Sequence, residues 1–80
     1  MAKYMSEIDW MQIFGENLQE IMDEQHISQR ELARRTGLSN TAISSYIKAQ
    51  KMPGLKAILN LSYALRIDLH DLIDFGSEVR

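Results

Sequence analysis

The sequence of 80 residues contains no cysteine, so disulfide bonds and thiolate metal sites are excluded. This absence fits a reducing compartment, and we expect the protein in the cytoplasm. No apolar run approaches the roughly 18 residues that a membrane span needs. The first nine residues lack a basic region followed by an apolar stretch, so we also expect no secretory signal.

Proline and glycine are scarce, with one and four residues, and no segment combines strand alternation with hairpin signals. Apolar residues instead recur every three or four positions, which is typical of helices with one buried face. The length allows one domain. We therefore predict an all-α, single-domain fold over 1–80 with its core in 9–75, and five helices at about 9–25, 29–36, 40–48, 55–65 and 69–75.

Apolar spacing also predicts which helix faces are buried. The first helix carries one apolar stripe: Trp10, Ile13, Phe14, Leu18, Ile21 and Met22. The predicted core face of the fourth helix consists of Leu55, Ile58, Leu59, Leu61 and Leu65. Residues suited to capping precede four helices, namely Ser6 or Asp9, Ser28, Ser39 and Asp68. Ser28 and Glu31 have the spacing of a capping box, in which the glutamate reaches back to the cap residue.

Positive charge is concentrated in the middle of the chain, although the net charge is −2. Residues 28–66 hold seven basic residues and one acidic residue, whereas residues 1–27 hold one basic and six acidic residues. The last fourteen residues are acidic again. A basic segment of this kind attracts phosphate groups whatever the total charge is. An uneven but merely solvated surface is the alternative.

Residues 29–48 match the demands of two short helices that cross steeply at a tight turn. A small residue must stand where the helices cross, and Ala33 provides it. Gly37 can take the positive φ that the turn requires. Leu32, Leu38, Ile43 and Tyr46 fall where apolar side chains must hold the pair together. The segment therefore predicts a helix-turn-helix.

At this point the chain resembles the lambda-repressor-like, Cro/C1-type (XRE-type) helix-turn-helix domains over about residues 13–75. The resemblance is carried by residues 13–16, 27–33, 36–39, 42–44, 53–55 and 61–65. It implies a five-helix domain whose third helix lies in the DNA major groove. The expected function is that of a sequence-specific, repressor-like transcriptional regulator of double-stranded DNA.

The outward face of the third helix supplies the predicted site. The resemblance places Asn40, Thr41 and Ser45 where the family reads base edges, and Ser44 shares their face. Asparagine can pair with adenine, and threonine can contact a thymine methyl group. The predicted phosphate contacts are Gln29, Arg30, Ser39, Lys48 and Lys51. A solvated polar face without a ligand is the alternative for each residue alone.

The sequence departs from the family at two places. Met22 and Ile47 replace an arginine and a glutamate that commonly form a buried ion pair, and two packed apolar residues can substitute for such a pair. We therefore expect Met22 and Ile47 to touch. Ala49 stands where the family usually has glycine, so we expect the third helix to run a turn longer or to be closed by Gln50.

Nothing in the sequence indicates catalysis, a cofactor or a metal site, because His26 and His70 lack further ligands. Tight DNA binding by so small a domain usually takes two copies, so we expect a homodimer on a pseudo-palindromic site. The candidate dimer contacts, which could equally seal the core, are Trp10, Met11, Leu72, Ile73 and Phe75, with the fifth helix favoured. The alternatives are an antitoxin that also binds a protein partner, and a protein-interaction module without DNA binding.

Overall fold

The computed structural model describes residues 6–73, and within them the chain forms five α-helices and no strands. The helices are α1 (Glu7–Gln25), α2 (Gln29–Thr36), α3 (Asn40–Ile47), α4 (Leu55–Leu65) and α5 (Leu69–Leu72). The predicted all-α class is confirmed, and α2 and α4 have the predicted bounds. The fifth helix ends at Leu72, earlier than the predicted end at Phe75, and Phe75 itself lies outside the described residues.

Serine side chains begin the first three helices. Ser6 accepts from the backbone N–H of Asp9, Ser28 from that of Glu31, and Ser39 from that of Ala42, at 3.0–3.1 Å. Each bond satisfies a donor that the first turn of a helix leaves free. Asp68 occupies the capping position of α5, but its side chain makes no capping bond.

One apolar core joins all five helices. Its buried members are Phe14, Leu18, Ile21, Met22, Leu32, Ile43, Tyr46, Ala57, Ile58, Leu61, Leu65 and Leu72. Aromatic rings extend it at one end, where Trp10 stacks on Phe14 with centroids 5.4 Å apart. Phe14 in turn meets Tyr46 edge-on at 6.2 Å, a geometry that aromatic pairs favour. The predicted stripe of the first helix therefore faces the core, with Trp10 and Ile13 half-buried at its margin.

The predicted core face of the fourth helix is wrong at two positions. Leu55 and Leu59 are exposed, whereas Ala57 and Ser62 take their places in the core. Ser62 is accommodated there because its hydroxyl donates to the carbonyl oxygen of Leu59 at 2.8 Å, and a satisfied hydroxyl is tolerated in an apolar setting. The helix is thus rotated from the orientation that maximal burial of leucine would give.

Three helices are followed by a left-handed residue that is not glycine: His26, Ala49 and Arg66 have φ of 56–59°. Each of these residues and the residue after it donate a backbone N–H to carbonyl oxygens of the preceding helix, as in the Schellman motif. The expectation for Ala49 is therefore wrong, since α3 ends at Ile47 and Ala49 itself takes the left-handed conformation. The backbone N–H of Gln50 donates to the carbonyl oxygen of Ser45 at 2.8 Å.

Candidate nucleic-acid interface

The turn between α2 and α3 has the predicted geometry. Gly37 has φ of 78° and donates its backbone N–H to the carbonyl of Ala33 at 2.9 Å. Thr36 adds a brace that sequence reasoning missed. Its hydroxyl donates to the carbonyl of Leu32 at 2.8 Å and accepts from the backbone N–H of Leu38 at 3.1 Å. The threonine therefore ties the end of α2 to the start of the turn.

The buried face of α3 holds this helix against the rest of the fold. Ile43 is fully buried and Tyr46 almost so, and α3 contacts both α1 and α2. Because successive residues turn by about 100° around a helix, the residues opposite these two share the outward face. The predicted base-reading residues are all on it: Asn40 and Thr41 are exposed, and Ser44 and Ser45 are half-buried.

Gly15 of α1 sets how closely α1 and α3 approach each other. A Cβ atom at this position would lie 2.6 Å from the carbonyl oxygens of both Tyr46 and Ile47. That distance is too short for any side chain, so the backbones of α1 and α3 meet directly. Although the resemblance includes Gly15, its spacing alone gave no indication of this role.

The apolar pair predicted to replace the family's ion pair lies near this contact. Met22 is buried in the core, and Ile47 packs against that core while lining a shallow surface groove beside α1. Both residues therefore contribute to the same apolar core. Their direct contact stays a prediction.

The predicted phosphate-binding residues surround the polar face. Gln29 opens α2, Ser39 caps α3, and Lys48 follows α3. Arg30, Lys48 and Lys51 are exposed, and none of them forms an ion pair within residues 6–73. Their charges are therefore available to an anion. Ser39 already accepts a hydrogen bond as a cap, so its hydroxyl proton remains free to donate.

Arg34 and Arg35 are engaged elsewhere, in agreement with their omission from the predicted site. Both donate to the carboxylate of Glu31, and the Nε of Arg35 lies 2.8 Å from its Oε2. These hydrogen bonds lower the pKa of Glu31 from 4.5 to about 2. The capping box is therefore only half confirmed, because Ser28 caps α2 while the Glu31 carboxylate turns forward to the arginines.

Residues 6–73 contain neither a cluster of metal ligands nor a membrane-spanning helix. Among residues 6–73, no three His, Asp or Glu side chains are close enough to hold a metal ion. Over the same range, no helix is both long and apolar enough to cross a bilayer. His26 is exposed and closes the end of α1.

Two helices joined at a glycine turn, with an exposed polar face on the second and free cations beside it, define a DNA-binding helix-turn-helix domain. The sequence agrees, because residues 18–72 match the family model HTH_3, described as helix-turn-helix. The chain belongs to this family. No curated protein matches it.

Solved structures with the same fold include two with recognisable sequence similarity. The restriction-modification controller protein C.AhdI from Aeromonas hydrophila is 31% identical, with a TM-score of 0.76 over 78% of this chain and 94% of its own. The hypothetical transcription factor NHTF from Neisseria is 26% identical, with a TM-score of 0.78 over 91% and 84%. An HTH_3 family transcriptional regulator from Vibrio cholerae shares the fold at 12% identity and a TM-score of 0.81, over 84% of this chain and 38% of its own. The family match and the two neighbours with recognisable sequence similarity favour a DNA-binding regulator over the antitoxin and interaction-module alternatives.

Proposed function

We propose that this protein regulates transcription in the cytoplasm by binding a pseudo-palindromic DNA site as a homodimer, with α3 in the major groove of each half-site. Repression by occupying the site is the expected mode, and no catalytic step is part of this function. The observation that carries the proposal is the polar outward face of α3, which lies opposite Ile43 and Tyr46 and is bordered by unpaired cations.

The outward side chains of α3 have the chemistry of base readers. Asn40 can donate to N7 and accept from N6 of adenine in one bidentate contact, and Thr41 can place its methyl group against that of thymine. Ser44 and Ser45 can donate or accept, so they discriminate more weakly between bases. Because Asn40 and Thr41 are in the first turn of α3 and exposed, they reach deepest when this end of the helix enters the groove.

The flanking residues would hold the helix in register on the phosphates. Gln29 presents its backbone N–H at the start of α2, where the helix dipole favours an anion. Ser39 offers a hydroxyl proton, and Arg30, Lys48 and Lys51 offer full charges. These contacts carry little sequence information but orient the protein on the duplex. Three cations in each subunit make six in a dimer.

The relatives support regulation as the outcome of DNA binding. C.AhdI is a controller protein of a restriction-modification system, and NHTF is a hypothetical transcription factor. Both align with most of this chain, including α2 and α3. A similar regulatory role follows for this chain if its helix-turn-helix binds DNA with sequence preference.

Selection of bound duplexes from a random DNA pool tests this function. We expect enrichment of one sequence with two-fold symmetry and half-sites about 34 Å apart, one turn of the double helix. Polarisation titrations of the winning duplex should weaken steeply with salt, with a slope of about −5 in log–log form for six neutralised phosphates. A pool without enrichment, together with affinity that does not respond to salt, would exclude the proposed function.

A further inference from the structure

The outward face of α4 carries three large exposed apolar side chains, one on each turn. Leu55, Leu59 and Tyr63 are 68%, 41% and 83% exposed. They are four residues apart, so each is displaced by only about 40° around the helix from the one before, and the three form one stripe. Met52, in the segment that joins α3 to α4, is also exposed, at 40%. We call these four residues the α4 stripe.

The α4 stripe is unlike ordinary surface exposure of apolar residues. Single exposed apolar side chains are common and need no explanation, and Ile8 on α1, 61% exposed, is one of them. On α4, however, apolar residues hold most of the outward positions, and Lys56 is the only charged residue between Leu55 and Leu65. Contiguous apolar surface of this kind marks an interaction site.

We propose that the α4 stripe is the surface through which two copies of this chain associate about a two-fold axis. A ridge repeated every four residues can pack against its own copy on an antiparallel helix, because such ridges interdigitate with one another. A two-fold contact also requires a surface that is complementary to itself. The four exposed residues would form the apolar centre of a contact in which each partner buries about 800 Å² in a standard interface.

The position of α4 suits a second copy better than a different protein. The proposed function, on which this step rests, requires two recognition helices on one duplex. Residues 48–54 connect α3 directly to α4, so a two-fold contact on α4 would link the elements that directly follow the two recognition helices. The fifth helix, which sequence reasoning favoured, is less available, since Leu72 is fully buried and Ile73 packs against the core.

Sedimentation equilibrium of the full chain tests the surface without DNA. We expect the wild type to dimerise, and Leu55→Glu and Tyr63→Glu to weaken the dimer at least about 100-fold, because each places two carboxylates at the symmetric contact. Ile8→Glu is the matched control, with similar exposure but on α1, outside the α4 stripe, and should dimerise like the wild type. Circular dichroism checks that each variant is folded, and two variants on separate turns protect against a local folding defect.

Binding to one half-site and to the complete site separates this inference from the proposed function. Folded Leu55→Glu should bind an isolated half-site like the wild type and lose at least about tenfold on the complete site. A wild type that stays monomeric at millimolar concentration, or stripe variants that dimerise normally, would overturn the inference and leave DNA binding intact. Loss of DNA binding in every form, with dimerisation unchanged, would instead reject the proposed function.

Discussion

Asn40 is the outward residue whose chemistry selects most strongly for one base. Its amide can satisfy both the donor and the acceptor of adenine, and its place in the first turn of α3 leaves it exposed. We expect Asn40→Ala to lower affinity by about 1–3 kcal/mol at one or two base positions and to relax preference there. Titration against single-base variants of the selected site measures this effect.

The control for Asn40 is Gln12→Ala, a change of similar size on the exposed surface of α1. It should bind all the DNA variants like the wild type. If Asn40→Ala instead weakened every sequence to the same extent, Asn40 would be a backbone contact and not a base reader.

Glu31 is the residue whose protonation responds most to its surroundings. Hydrogen bonds from Arg34 and then Arg35 hold its pKa at about 2, below the ordinary 4.5. A lowered folded-state pKa means that the ion pairs support the fold fully above the ordinary pKa and lose that support as the pH falls from about 4.5 towards 2. NMR titration should place the Glu31 midpoint near 2. In the Arg34→Gln, Arg35→Gln double variant the midpoint should return towards 4.5, and an unchanged midpoint would show that the arginines are not its cause.

At the scale of the helices, the end of α3 depends on a residue that suits it poorly. Ala49 has φ of 59°, and a left-handed conformation costs a residue with a Cβ atom about 1–2 kcal/mol. We expect Ala49→Gly to raise the free energy of unfolding by about 1 kcal/mol, measured by urea denaturation. Ala42→Gly, in the interior of α3, should lower it by a similar amount. A loss of stability in Ala49→Gly would contradict the assigned strain.

The contact between α1 and α3 at Gly15 gives a second prediction for the helices. Gly15→Ala places a methyl group against two backbone oxygens, so α3 must shift even though alanine favours α1 by about 1 kcal/mol. Base contacts tolerate little displacement, and we expect the affinity for the selected site to fall by about tenfold, as for one weakened base contact. Polarisation measures it, with random duplex DNA for comparison.

Gly54→Ala is the matched control for Gly15→Ala. No atom lies within 4 Å of a Cβ at Gly54, whose φ of −79° any residue can adopt. It should bind DNA like the wild type. Equal losses on selected and random DNA in folded Gly15→Ala would show that Gly15 does not position the reading face.

These helices also show where sequence reasoning succeeds. Ser28 and Gly37 fixed the bounds of α2 because a cap and a left-handed glycine act locally. Leu55 and Leu59 were misplaced because helical spacing shows that an apolar face exists but not which neighbour covers it. The end of α3 was mispredicted because tertiary packing overrode the preference of Ala49 for right-handed backbone. The role of Gly15 was missed because it depends on contact with Tyr46, 31 residues further along the chain. For the site, the sequence identified the outward face of α3 but not the brace at Thr36.

At the scale of the whole molecule, acidic and basic side chains are concentrated on different elements. The exposed carboxylates of α1, among them Glu16, Glu20 and Asp23, lie on the helix that packs behind α3. The unpaired cations are Arg30 on α2 and Lys48 and Lys51 in the segment after α3. Unpaired cations beside α3 can attract a duplex locally, so a net charge of −2 is compatible with DNA binding.

Lys48 tests this separation through the salt response of the complete protein. We expect Lys48→Ala to weaken binding on all sequences alike and to reduce the magnitude of the salt slope by about one for each lysine removed from a phosphate. Titrations at several salt concentrations give the slope. Lys48→Arg, which keeps the charge, should retain it, and an unchanged slope in Lys48→Ala would place this residue away from the DNA.

The backbone contact between α1 and α3 at Gly15 has a consequence for how new DNA-sequence specificities could arise. The position of α3 is set from behind, by the main-chain contact at Gly15 and the buried side chains of Ile43 and Tyr46, whereas Asn40 and Thr41 are exposed. Asn40, Thr41 and their neighbours can therefore be exchanged for other polar residues while the helix keeps its place. One scaffold could in this way serve many different operators, with a few substitutions separating one from the next.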